Sequence, residues 1–391
     1  MRALPAARPL LARLNDPPSV YLVGGAVRDL LLGGAPFDLD LAVEGDAAAL
    51  AASLGGEVTV HDRFGTSTVR LDGFAYDIAR ARRESYAHPG ALPDVEPAPL
   101  VEDLLRRDFT VNALAVALGG SNAGELRAAP GAVEDLAAHR LRVLHDRSFI
   151  DDPTRLFRLT RYASRLGFEI DPHTRALAEA AVGGGALTTV SGPRLGAELR
   201  LLAGEHDPVA AVGALSELEL DRALDPGLGL RDQDLARRAL ELLPDGERRD
   251  RLVLAAASLG IPPAELSQRL DWLAFPAADR EAIVTSAARA RDTAGALTAA
   301  GAPSEIAAAA AGAPAELVAL AGALGPERQA REWLERLRHV RLSIDGEDLL
   351  AAGIPEGPAI GRGLRAALAA KLDGRASGPG QELAEARKAA G

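Results

Sequence analysis

The sequence predicts an α+β protein in which a mixed head of strands and helices is followed by a chain that stays helical to its end. Over roughly the first 120 residues, short apolar runs of period two alternate with segments of helical period. Beyond about residue 133 the period-two signal fades, and amphipathic helical segments continue between "GG", "DP", "PP" and "GP" breaks. The 391 residues exceed one ordinary domain, and a chain with 48% hydrophobic and 25% charged residues has ample material for buried cores.

Taken in order, "SVYLVGG" (19–25) is an apolar, β-branched run that ends in two glycines, and "AVRDLLLGG" (26–34) reads as a helix closed by glycines. "FDLDLAVEG" (37–45) alternates as a strand. Asp46 is placed to cap the helical "AAALAASLGG" (47–56), after which "EVTVHDRFGTSTVRL" (57–71) and "FAYDIARAR" (74–82) read as strands. Residues 82–103 hold four prolines and a glycine without periodicity, which predicts a long loop of the kind that often forms a functional lid. The clearest helix spans 151–168, with Asp152 as cap, Pro153 at the first position and Gly167 as stop.

Composition narrows the function classes. Cysteine is absent, so neither a disulfide framework nor a thiolate metal site is available, and a reducing compartment is allowed. No stretch reads as a signal peptide or a membrane span, since the Ala-rich 304–325 is broken by Glu305, Pro314 and Glu316; the expected location is the cytoplasm. A formal charge of −11 argues against wholesale phosphate binding, yet residues 140–175 carry eight Arg against five acidic residues and 328–341 five Arg against two Glu. The excess of 42 Arg over 2 Lys runs through the whole chain and reads as compositional bias.

Chemistry concentrates at "DLD". In a strand, Asp38 and Asp40 project from one face while Leu39 and Leu41 point into the core. Two adjacent carboxylates repel, and a divalent cation is the natural compensation; oxygen-ligated Mg²⁺ is the usual device for nucleotidyl transfer. Taken alone, D-x-D also fits a solvated strand edge. Upstream, "GGAVRD" sets two glycines at a strand-to-helix turn where backbone N–H groups and Arg28 can face phosphates, although it is neither a Walker loop nor a G-x-G-x-x-G fingerprint. Asp77 lies on a strand where a third carboxylate would fit, as would a plain strand-edge residue. The seven His show no zinc spacing, and no G-x-S-x-G motif appears.

"YLVGGAVRDLLLG", "FDLDLAV", "EDLLRRDFTVNALAV" and "RVLHDRSFIDDPTRLFRLTRYASRLGF", in that order and spacing, resemble the class II tRNA nucleotidyltransferases and bacterial poly(A) polymerases over about residues 20–200. A weaker block at 342–368 is similar to the C-terminal part of CCA-adding enzymes. The resemblance implies a polymerase-β-like nucleotidyltransferase head (1–145), a helical neck that selects the base (146–205), a helical body (206–320) and a tail (321–391), the last two binding tRNA. It implies that Asp38 and Asp40 are catalytic and bind Mg²⁺, and that Gly24, Gly25 and Arg28 hold the triphosphate. Arg106, Arg107, Asp108 and Asn112 would recognise sugar and phosphates.

Asp151, Asp152, Arg155 and Arg158 are implied to select the base. A carboxylate accepts from an exocyclic amino group and a guanidinium donates to the adjacent ring nitrogen, a pattern that cytosine and adenine match and that uracil and guanine reverse. Asp152 as a simple helix cap that pairs with Arg155 is the structural alternative. The expected activity is template-independent addition or completion of the 3′-terminal CCA of tRNA from CTP and ATP. An A-adding-only enzyme or a poly(A) polymerase shares every catalytic residue, and a non-catalytic RNA-binding protein leaves the intact aspartates unexplained. "DD" in place of Glu-Asp, and Pro193 where many members carry Glu, lean toward the A-adding branch, whereas the long segment at 82–103 disfavours a CC-only enzyme.

Overall fold

The computed structural model describes residues 4–14, 19–61 and 65–390. The chain divides into two compact units, residues 1–191 with 217–223 and residues 192–216 with 224–391.

The first unit begins with helix α1 (Ala7–Arg13) and strand β1 (Val20–Val23), then the glycine turn and α2 (Gly25–Leu31). Strand β2 (Leu39–Val43) and α3 (Ala47–Ser53) follow; as expected, Asp46 caps α3, accepting from Ala48 N at 2.9 Å and Ala49 N at 3.1 Å. The predicted run 57–71 is two strands, β3 (Glu57–His61) and β4 (Thr66–Leu71), while residues 62–64 fall outside the described residues. β4 returns into β5 (Phe74–Arg80) through Asp72 and Gly73 at φ 49° and 85°, the Asp-Gly pair that a tight hairpin turn requires. With β8 (Leu114–Ala117) and β9 (Leu126–Ala128), these strands form a seven-stranded sheet in the order β3-β4-β5-β2-β1-β8-β9.

Strand β2 lies well inside this sheet, parallel to β5 and antiparallel to β1. Leu39 and Leu41 are each 1% exposed, so burial fixes which face Asp40 takes. The parallel register pairs Asp40 with Asp77, which puts their side chains on the same face.

Residues 82–103 form no structureless loop. Strands β6 (Arg82–Ser85) and β7 (Asp94–Pro97) pair antiparallel as a separate hairpin, and α4 (Leu100–Leu105) begins at once. Pro97 sits on a two-stranded edge, where no ladder partner needs its missing N–H. The tip is anchored: Gly90 N donates to Ile150 O at 3.2 Å, and a Cβ on Gly90 would overlap Thr189.

After α5 (Ala132–Ala137), β10 (Arg140–Leu141) pairs in parallel with β11 (Glu169–Ile170). The helix expected over 151–168 is two helices, α6 (Ser148–Asp151) and α7 (Thr154–Leu166), because Asp152 leaves helical geometry at φ −135° and ψ 90° ahead of Pro153. Pro153, expected at the first helical position, takes the cap position of α7 instead; Asp152 accepts from Thr154 N at 3.2 Å, and Gly167 ends the helix in the left-handed conformation at φ 65°.

The second unit is helical among its described residues. Gly192 and Gly196, one turn apart on the helix Gly192–Ala203, face the backbone carbonyls of Trp272 and Leu273, which a Cβ at either glycine would overlap. Arg200, a further turn along, donates to Ala274 O at 3.2 Å. Ile344, Leu349, Ile354, Ala367 and Ala386 form a small core near the end of the chain. No helix of the described residues is long and apolar enough to cross a membrane.

Gly196→Ala is expected to lower stability by about 1–3 kcal/mol through overpacking against the Leu273 carbonyl. Gly295→Ala, inside the helix Ala277–Ala299 with nothing within 4 Å of a new Cβ, should gain about 0.5–1 kcal/mol. Thermal unfolding followed by circular dichroism compares the two.

Candidate functional site

The site grows from the turn between β1 and α2. Gly24 has φ 71°, and its N–H donates to Leu114 O at 3.0 Å, which ties the turn to β8. The Arg107 guanidinium lies so close that a Cβ on Gly24 would stand 2.8 Å from Nη1. Glycine is therefore required twice here, by the backbone angle and by the arginine. Arg107 Nε is buried without a hydrogen-bond partner, whereas Nη2 donates to Asp103 Oδ2 at 2.9 Å.

Asp40 stands beside this turn on β2, with Asp38 two residues earlier and Asp77 in register on β5. Desolvation by the surrounding protein pushes the Asp40 carboxyl above the ordinary aspartate range; the nearby Asp77 and Asp38 add to the rise and Arg107 opposes it. Thr68 Oγ1 donates to Asp77 Oδ1 at 2.7 Å. Asp40 thus carries a charge that its neighbours oppose more than they relieve.

A cavity of about 410 Å³ opens next to Asp40. Gly24, Gly25, Arg106, Arg107, Asp108 and Asn112 line it from the head; Asp152, Arg155 and Arg158 line it from α7 and the residues just before it. Three predicted residues are not in this lining. Asp38 is exposed outside it, and Asp151 pairs with Arg147 at 2.9 Å. Arg28 is 2% exposed, donating to Asn112 Oδ1 at 2.5 Å and Asp29 Oδ1 at 2.8 Å, so its guanidinium is committed to protein partners.

Asp108 is the most constrained member. Arg158 donates to Oδ2 from Nε and Nη2 at 2.9 and 2.6 Å, while Asn112 Nδ2 and Phe109 N donate to Oδ1 at 2.9 and 2.8 Å. A carboxylate offers about four acceptor positions, and here each oxygen accepts two bonds. Burial alone would raise the pKa of Asp108, but Arg158 and Asn112 outweigh it and hold the group at about 2. A ribose hydroxyl reaching this carboxylate would therefore have to displace an existing donor.

Arg106 and Arg107 are set by Asp103, 1% exposed in the first turn of α4, whose Oδ1 accepts from Arg106 Nη2 at 2.7 Å. Glu84 on β6 accepts from Arg106 Nη1 at 2.8 Å and from Tyr86 Oη at 3.1 Å. Burial, reinforced by Glu84, pushes the Tyr86 phenol up to about 12. On the helical side, Arg155 donates to Ser148 Oγ at 2.8 Å and to Arg106 O at 2.7 Å. Two of its five N–H groups are used in this way.

Sequence reading missed Arg82, Glu84, Tyr86, Pro93 and Tyr162, which also line the cavity. The first four sit on the hairpin that the proline content disguised. Tyr162 was findable, since 155, 158 and 162 follow helical spacing on α7.

The donor set fits a divalent cation. Asp38, Asp40 and Asp77 supply hard oxygen atoms whose mutual repulsion a cation would relieve. Among the described residues no three His, Cys, Asp or Glu side chains form a ready cage.

Residues 20–142 match the Poly A polymerase head domain. An A-adding tRNA nucleotidyltransferase of Geobacter sulfurreducens is 35% identical over 96% of this chain and 46% of its own length. A CC-adding tRNA nucleotidyltransferase of Deinococcus radiodurans is 35% identical over 91% of this chain and 85% of its own. A CCA-adding enzyme solved in an apo form superposes with a TM-score of 0.83 at 30% identity, covering 98% of each chain. The chain spans half or less of the length of the A-adding relatives that it matches.

The depressed pKa of Asp108 carries a sign. Its contribution to stability is present in full above the unfolded-state value near 3.8 and is lost as pH falls through about 2, an effect of about 2 kcal/mol. Asp108→Asn should unfold at lower temperature than the parent at pH 7, with the gap narrowing below about pH 4; melting curves across pH 2–7 test this.

Proposed function

The chain belongs to the tRNA nucleotidyltransferase family, and on that premise we propose that it adds or completes the 3′-terminal CCA of tRNA, taking CTP and ATP without a nucleic-acid template. One observation carries the reading: an arginine-lined cavity beside Asp40 is also lined by Asp152, Arg155 and Arg158. Nucleotide, metal ligands and base-selecting groups would then meet in one place.

In this reading residues 1–145 are the catalytic head and 146–205 the selecting neck, with the body (206–320) and tail (321–391) gripping tRNA. Mg²⁺ held by Asp38 and Asp40 would supply charge neutralisation at the triphosphate and lower the pKa of the attacking 3′-hydroxyl. The chain's own residues do the rest. Gly24 leaves room for Arg107, whose guanidinium lines the cavity and brings positive charge to the triphosphate. Gly25 keeps the turn open beside it. Arg106, fixed by Asp103 and Glu84, adds positive charge to the same wall.

Across the cavity, Asp152 accepts from an exocyclic amino group and Arg155 donates to the neighbouring ring nitrogen, which admits cytosine and adenine and disfavours uracil and guanine. Arg155 is buried and held by Ser148 and Arg106 before substrate arrives, so its direction needs no rearrangement. Asp108 and Asn112 set the edge of the site where the sugar lies.

Replacing both Asp38 and Asp40 with Ala should cut nucleotide incorporation by about 10³-fold or more while leaving tRNA affinity nearly unchanged. Incorporation of labelled ATP and CTP, measured beside a tRNA binding titration, checks this; normal turnover by the double mutant ends the metal assignment. Arg155→Ala should relax the choice between ATP and GTP more than it raises the KM for ATP, and unchanged selectivity would return Arg155 to a structural role.

A further inference from the structure

We infer that Arg28 and Tyr162 are positioning residues for base selection, closing a ring of side chains that ties α7 to the glycine turn. This rests on the reading that the cavity chooses the incoming nucleotide. Arg28 is outside the cavity lining, yet its Nη1 donates to Asn112 Oδ1 at 2.5 Å. Asn112 Nδ2 donates to Asp108 Oδ1 at 2.9 Å, and Asp108 Oδ2 accepts both bonds from Arg158. Arg158 Nη2 donates to Tyr162 Oη at 3.3 Å. The Tyr162 ring then carries the guanidiniums of Arg158 and Arg28 at 5.6 and 5.3 Å, which returns the circuit to its start.

A closed ring differs from a chain because every member is held from two sides. Arg158 is fixed by Asp108 on one flank and Tyr162 on the other, and it lies about one turn along α7 from Arg155. Rotation of α7 that frees Arg158 therefore also turns Arg155 away from a bound base. Arg28 supports the far end through Asn112 and Tyr162, so its loss would be felt as a change in selectivity although it does not itself line the cavity. A direct role on the triphosphate predicts something else. Phosphates are common to all four nucleotides, so losing such a contact would weaken each of them equally.

The test uses the full chain with Mg²⁺ and tRNA transcripts ending at the discriminator base or after CC. It measures kcat/KM for CTP over UTP and for ATP over GTP on whichever transcript the parent extends. Arg28→Lys keeps the charge but loses the planar fork, and Tyr162→Leu removes the ring; each should lower the ratio about tenfold, the effect of one lost charge-assisted hydrogen bond. Tyr162→Phe keeps the ring under both guanidiniums and loses only the long 3.3 Å bond from Arg158, so its fall should be smaller than that of Tyr162→Leu, about threefold.

A uniform rise in KM for all nucleotides in Arg28→Lys, with the ratio unchanged, would place Arg28 on the phosphates and overturn the proposal. A parental ratio in a folded Tyr162→Leu would do the same. Should Tyr162→Leu fail to fold, Arg28→Lys decides. A parent protein that extends no transcript defeats the functional reading itself and is thereby distinguished from failure of the ring.

Discussion

A carboxylate buried in a protein must be held by donors on every side, and Asp108 imposes that demand on three separate elements. Its oxygens are satisfied by Arg158 from α7, Asn112 from the turn before β8, and the backbone of Phe109. Stripping water from such a group costs several kcal/mol, and removing one partner leaves an uncompensated charge. The elements around the cavity are consequently not free to drift, because any displacement first breaks a charged bond in a low-dielectric setting. Asp103 makes the same demand one turn earlier, and the two arginines that satisfy it are those that line the wall.

The acidic protein carries its positive charge where it matters. A formal charge of −11 offers little general attraction for nucleic acid, yet five arginines line one cavity, and Arg82, held by Glu84 at 3.1 Å, is as firmly tied as the other four. Orientation is the point. A guanidinium already tied to Ser148 or Asp103 has little further freedom to lose, which is what the proposed nucleotide site asks of it. The like-charged neighbours of Asp40 are the place where the fold leaves an electrostatic demand unmet.

How much of this could be read from the sequence followed the range of each interaction. Period-two alternation and burial of Leu39 and Leu41 put Asp40 on a strand, and the Asp46 cap and the Gly167 stop were visible because each acts within four residues. The hairpin at 82–97 was hidden because prolines on a two-stranded edge look the same as prolines in a loop. The break at Asp152 was hidden because a capping residue suits either the start of a helix or a gap between two. The bond from Arg28 to Asn112 was hidden because nothing local to "GGAVRD" announces a partner 84 residues further on. The two-residue strands β10 and β11 are too short to leave a pattern.

The central claim is that protein side chains alone choose the base. Its most direct test supplies tRNA transcripts ending at the discriminator base, after C and after CC with each of the four nucleoside triphosphates and with CTP and ATP together, and sequences the 3′ ends. The account predicts that only C and A enter, in an order that ends at CCA, with growth of the CC transcript alone by a single A marking an enzyme that completes an end begun elsewhere. Incorporation of U or G as readily as C or A would contradict it.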